Sequence, residues 1–191
     1  MSDPSAAHRA AFNAQQRRFV EQLPGRILRA AWVWEEAFIE QGPRGVPVFE
    51  HAALCFVQAG RLELETADGT VLAVLTTQDD VDFPLFVEEY PLAERHFMEP
   101  MTEGIHRTRR FAEFPLGRIV AAAGHHDADG RLLRLTLTVG STRVHLCAGE
   151  VQEGWGGVVR VVEADGSVLV FLGDDALAAT RFEQDLRLSW A

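Results

Sequence analysis

The 191-residue chain contains no lysine: all 18 of its basic residues are arginine. It has two cysteines, one tyrosine and no apolar run near the roughly 20 residues that a membrane span requires. Each shortage excludes something. Cys55 and Cys147 cannot staple a disulfide scaffold and form no C-x-x-C, so they read as reduced, buried thiols of a cytoplasmic protein. No basic region followed by an apolar one opens the chain, so no secretory signal is expected. There is no G-x-S-x-G, no phosphate-cradling loop and no dinucleotide fingerprint. Ser141, Ser167 and Ser189 fall in turns or the tail. No catalytic residue, cofactor or metal ligand is therefore assigned.

What is abundant is acid. Against 18 basic residues stand 28 acidic ones, a net charge of −10. The phosphate backbone of a nucleic acid would be repelled. A basic partner would be attracted. The all-arginine usage reads as genomic base composition rather than arginine-specific chemistry. With 47% hydrophobic residues the chain can bury one good-sized core.

The first 40 residues carry a helical period. "AAFNAQQRRFVEQL" places Phe12, Phe19, Val20 and Leu23 on one face. After Pro24, "GRILRAAWVWEEAFIEQ" repeats the pattern with Ile27, Leu28, Ala31, Trp32, Glu35, Phe38 and Ile39, and Gly42-Pro43 stops it. A helical hairpin over residues 1–45 is expected, packed on a β-rich part over 46–191, one globular unit overall.

From residue 46 the period becomes two. "TADGTV", "DADGRL" and "EADGSV" each set Ala-Asp-Gly between apolar runs, and Asp-Gly is a strong signal for a two-residue hairpin turn. Gly140-Ser141 suits a fourth turn. The likeness of "LETADGTVLAVL" to "VVEADGSVLVFL" reads as convergence on good hairpin chemistry. The 158–172 hairpin is apolar on both faces and should lie centrally. Segment 83–118 reads as irregular or partly helical, and the tail from Arg181 as a strand after a short helix. The fold class is α+β: a helical hairpin, then a mainly antiparallel sheet of six to nine strands, sandwich-like or partly barrelled, with several Asp-Gly hairpins.

"GHHDADGRL" raises the question of a metal site. Outward pairing from Asp129-Gly130 sets His125 opposite Arg134 and His126 opposite Leu133. The Gly140-Ser141 turn sets Arg134 opposite Cys147 and Thr136 opposite His145. Adjacent His125 and His126 then point to opposite faces, and His125 stands about 10 Å from Cys147 across two strand spacings. Zinc wants its ligands at about 2.0–2.3 Å. The stretch reads as a turn.

Three other constellations stand out. Arg107, Arg109 and Arg110, near Arg95, His96 and Arg118 and the rings of Phe97, Phe111 and Phe114, form the one basic cluster. Such arginines grip phosphate or carboxylate in bidentate fashion, or pair with neighbouring acids such as Glu99, Glu103 and Glu113. Asp79, Asp80 and Asp82 read as a solvated loop. Trp155 lies among glycines beside Glu150 and Glu153, either as an exposed recognition anchor or folded onto the core.

The leading expectation is a non-catalytic binding or protein-interaction role for an acidic surface, or for the Trp155 loop, toward a protein partner or a second copy, with neither nucleic acid nor membrane involved. The alternative is a small-molecule or anion site, with or without catalysis, in the Arg95–Arg118 region, with Arg107, Arg109, Arg110 and Trp155 as ligand-binding residues. A metal-dependent enzyme using His125 and His145 ranks third.

Overall fold

A computed structural model describes residues 4–78, 83–97, 99–153 and 158–187. The chain is α+β: one long N-terminal helix and a large antiparallel sheet of eleven strands. Helix α1 (Pro4–Glu21) is followed by β1 (Ile27–Glu36), β2 (Val57–Thr66), β3 (Thr70–Thr76), β4 (Leu85–Pro91), β5 (Met101–Glu103) and β6 (His106–Arg110). Then come β7 (Gly117–His126), β8 (Leu132–Val139), β9 (Thr142–Glu153), β10 (Val158–Leu172), the short helix α2 (Asp174–Ala179) and β11 (Gln184–Arg187). No helix of the described residues is long and apolar enough to cross a membrane.

Six strands close on themselves. One edge of β1 pairs with β2, and its other edge pairs with β6 over Trp32–Glu36 and with β7 at Ile27 and Leu28. β2 likewise meets β3 over Arg61–Glu65 and β10 over Val57–Ala59 on the edge away from β1. Since β7, β8, β9 and β10 pair in sequence, the ring runs β1–β2–β10–β9–β8–β7 and back to β1. The β3–β4 and β5–β6 hairpins flare out from it. The larger core fills the ring with Val33, Leu62, Leu64, Leu135, Leu146, Val168 and Val170; Val20 of α1 and Leu23, just after it, add to it. A second core lies on the outer face of β9 and β10. There Leu169 and Phe171 are covered by Phe38, Ile39, Leu54 and Phe56, with Ala176, Leu177 and Phe182 packed against them.

The expected second helix is absent; its residues are β1. Its apolar positions satisfy both periods, and tertiary pairing decides between them. Aromatic and branched Trp32, Val33 and Trp34 suit a pleated surface, and β2, β6 and β7 supply the backbone partners. Segment 83–118, expected to be irregular or partly helical, holds β4, β5 and β6 with a 3-10 turn over Leu92–Glu94 and irregular stretches between them.

The three Ala-Asp-Gly segments do not make the two-residue turns expected of them. The first connects β2 to β3 through three residues, Ala67 to Gly69, with Gly69 at φ +86°. The second is a five-residue loop in which Asp127 Oδ1 accepts the N–H groups of Asp129 and Arg131, and Oδ2 accepts Arg131 Nε. The third is no hairpin at all. Strand β9 is twelve residues long and pairs with both arms of β10, Val159–Glu163 and Val168–Leu172. Residues 164–167 are thereby extruded as a wide bulge, with Ala164 at φ +60°. The Gly140-Ser141 turn does set the expected β8–β9 register, including Arg134 opposite Cys147 and Thr136 opposite His145. In β7–β8, His125 faces Arg134, but a bulge sets His126 opposite Leu132 instead of Leu133.

Candidate functional site: an acidic cleft beside the β10 bulge

The extruded bulge forms one wall of a cavity of about 760 Å³. Gly166 and Ser167 come from the bulge, Glu150 to Glu153 from the end of β9, and Gln58 from the start of β2. Glu36 ends β1, and Ala37, Phe38 and Glu40 follow it, with Ile105 completing the lining. Four glutamates therefore surround one space: Glu36, Glu40, Glu150 and Glu153.

Local structure positions Glu36 and Glu150. Ser167 is buried, and its hydroxyl donates to Glu36 Oε2. Glu36 can reach inward because residue 60 is glycine; a Cβ there would stand 2.8 Å from Glu36 Oε1 and 3.2 Å from the Trp34 ring. On the bulge, Asp165 accepts Gly166 N–H at 2.8 Å and the amide of Gln152. Glu150 faces this group. Burial, then the charges of Asp165, Glu36 and Glu40, push its carboxyl up to about 7, although the Gly166 backbone N–H favours the charged form. Glu150 thus shares its site with like charges and is about half protonated at pH 7.

Gln58 is 3% exposed. Its Oε1 accepts Val151 N–H at 2.6 Å, tying the start of β2 to β9.

The arginines singled out in the sequence divide between places. Arg107 and Arg109 share one face of β6, as strand alternation requires, and Arg110 takes the other and is exposed. Arg107 Nε and Arg109 Nε both donate to the carboxylate of Glu35, which is 2% exposed. Arg107 also reaches Glu50 at 3.1 Å and lies over the Phe49 ring; Arg109 reaches Glu113 at 2.8 Å. Arg109, Glu35, Glu50, Glu113, Phe49 and Phe56 are among the residues lining a second cavity of about 420 Å³. Arg95 pairs with Glu65 at 2.6 Å, and Arg118 donates to the Gly25 carbonyl. The Arg95–Arg118 region is not gathered into one pocket. Trp155 and Asp79, Asp80 and Asp82 lie outside the described residues.

His125 is exposed on β7 opposite Arg134. His145 is buried on β9, between Thr136 Oγ1 at 3.0 Å from Nδ1 and Asp174 Oδ1 at 2.9 Å from Nε2. An ionised Asp174 requires the proton on Nε2, so the Thr136 hydroxyl donates to Nδ1 when the ring is neutral. This chain of bonds ties α2 to the sheet. Among the described residues, no group of three or more His, Cys, Asp and Glu is placed to hold a metal ion.

Sequence reasoning named Glu150 and Glu153 only as neighbours of Trp155 and missed Glu36, Gln58 and Ser167 as site residues. The one available signal was Gln58, a polar residue inside the apolar run "ALCFVQAG". Comparison with known families and curated proteins finds no match for the chain, so its chemistry must be argued from its own residues.

Proposed function

We propose that the chain is a non-catalytic binding protein whose acidic cleft takes a positively charged partner. The observation that carries this reading is the convergence of Glu36, Glu40, Glu150 and Glu153 on one 760 Å³ space. Burial first, then the charges of Asp165, Glu36 and Glu40, raise the Glu150 carboxyl to about 7. A cation entering the cleft offsets those charges and replaces the proton. The net charge of −10 steers such a partner from a distance, within a screening length of about 8 Å at physiological salt.

The sign follows from linkage. Cation binding releases a proton wherever Glu150 is protonated beforehand, so affinity rises from pH 6 to pH 8 and levels off above. Calorimetry with a trilysine peptide in buffers of different ionisation enthalpy should record about half a proton released at pH 7 and almost none at pH 9. Glu150→Gln should abolish the release and weaken binding. Failure of trilysine to bind at low salt, or binding indifferent to Glu150, would overturn the proposal.

The anion-binding alternative has one support, the placement of Arg109 on the 420 Å³ cavity, where three carboxylates stand beside it. Saturable binding of inorganic phosphate, lost in Arg109→Gln, would favour it instead.

A further inference from the structure

A separate cavity of about 300 Å³ lies on the face of β1 and β6 opposite to Glu35. Strand register builds its floor. Trp34 of β1 pairs with Thr108 of β6, which pairs with Met101 of β5; two residues along β6, His106 pairs with Glu103. All five line the space, and the Trp34 and His106 rings lie 4.6 Å apart. The remaining walls, His96 and Phe97, come from the segment after β4. That segment is tied to the sheet. Arg95 pairs with Glu65 at 2.6 Å. His96 Nδ1 lies 3.2 Å from Glu63 Oε1, which also accepts the Tyr90 hydroxyl, and the His96 ring meets the Tyr90 ring edge-on at 5.6 Å.

The chemistry differs from that of the acidic cleft. Of the seven described residues lining this space, four carry aromatic rings, and Met101 adds an apolar side chain. Glu103 is the one carboxylate among them, and none of the chain's 18 arginines is present there. Rings attract a cation through their negative faces, most effectively one that sheds water easily. A bare ammonium is strongly hydrated; a methylated one is not, and its methyl groups suit Met101 and the rings. One wall atom also lacks a partner: His106 Nδ1 is buried with no hydrogen bond among the described residues. A hydroxyl satisfies that nitrogen in either tautomer.

We infer that this cavity binds a trimethylammonium group on a short hydroxylated chain, with the rings of Trp34, His96, Phe97 and His106 around the charge and Glu103 beside it. The inference is independent of the acidic cleft.

Choline is the probe. Its neutral isostere, with tert-butyl in place of trimethylammonium, keeps the shape and the hydroxyl and lacks only the charge. By calorimetry the wild-type chain should bind choline about tenfold more tightly than the isostere. Trp34→Leu should erase that preference, and Glu103→Gln, at an exposed position, should reduce it. Because Trp34→Leu can disturb the β1–β6 pair, a second readout uses the wild-type chain alone: choline should shift the Trp34 indole resonance. Glu150→Gln should leave choline binding unchanged. Absence of choline binding, equal affinity for the two probes, an unmoved Trp34 resonance, or a preference that survives both substitutions overturns the inference. Choline binding lost in Glu150→Gln assigns the cation to the acidic cleft and overturns it as well, while trilysine binding reports on the cleft separately.

Discussion

Glu150 shows how far a single residue's chemistry is set by its surroundings. In an unfolded chain its carboxyl titrates in the ordinary range; in the cleft it titrates near 7. The folded state therefore binds the extra proton between those values, and stability falls as pH rises from about 4.5 to 7, then stays level. After allowance for partial solvent access, the loss is about 2 kcal/mol. Thermal unfolding of Glu150→Gln should show that slope removed: the variant should match the wild type near pH 4.5 and exceed it at pH 8. Wild-type stability that rises steadily over this range would contradict the placement of Glu150. Gly60 belongs to the same scale. A single methyl group there meets the Glu36 carboxylate, so a smooth β2 surface is a condition for the cleft's second acid.

At the scale of elements, helix α1 closes the sheet by a side-chain device. Gln16 is 5% exposed; its Oε1 accepts Val87 N–H at 2.9 Å and its Nε2 donates to Val87 O at 3.2 Å. One amide thus acts as a strand partner for β4. Asn13 similarly donates to the Asp129 carbonyl in the β7–β8 loop. Gln16→Leu leaves two buried backbone groups unpaired and should cost about 2 kcal/mol, read as a lower midpoint in urea with faster amide exchange at Val87. The helix itself was legible from Phe12, Phe19, Val20 and Leu23, whereas β1 was not. Its residues satisfy a 3.6 period as well as a period of two, and β-pairing over long sequence separations decided the matter. The third Ala-Asp-Gly makes the same point. Its local chemistry equals that of the first, but β9 continues past it and pairs with both of its arms, so the signal for a turn became a bulge.

At the scale of the whole molecule, two apolar layers share one sheet. The ring's interior is the larger, and the outer face of β9 and β10 is sealed by residues 38–56, by α2 and by Phe182. Cys147 lies in the outer layer, where burial pushes its thiol up to about 12; Cys55, at the layer's rim, is exposed and its Sγ approaches Ala176 O at 3.2 Å. A thiol reagent at pH 8 should therefore modify Cys55 in the native protein and reach Cys147 only on unfolding. Asp174→Ala removes the carboxylate bonded to His145 and Arg143, loosens α2 and should speed modification of Cys147. Equal reaction of both thiols in the native wild type would show that this cover does not form.

By itself the sequence determined the class: abundant acid, an N-terminal helix, and antiparallel strands around the Gly140-Ser141 turn with its register. These follow from composition and short-range periodicity, which neighbouring residues carry. Arg107 and Arg109 share a face only because β6 forms in a segment read as irregular or partly helical, and their joint partner Glu35, placed on a helical face by its spacing, came from pairing β1 with β6. The cleft was decided only in three dimensions. Its residues come from β1, β2, β9 and β10 and the segments beside them, far apart in the chain, and apart from Gln58 none of them carries a local signal of its role. Closure of the ring brings those strands to one rim. There repulsion among carboxylates arises from proximity that no stretch of sequence encodes.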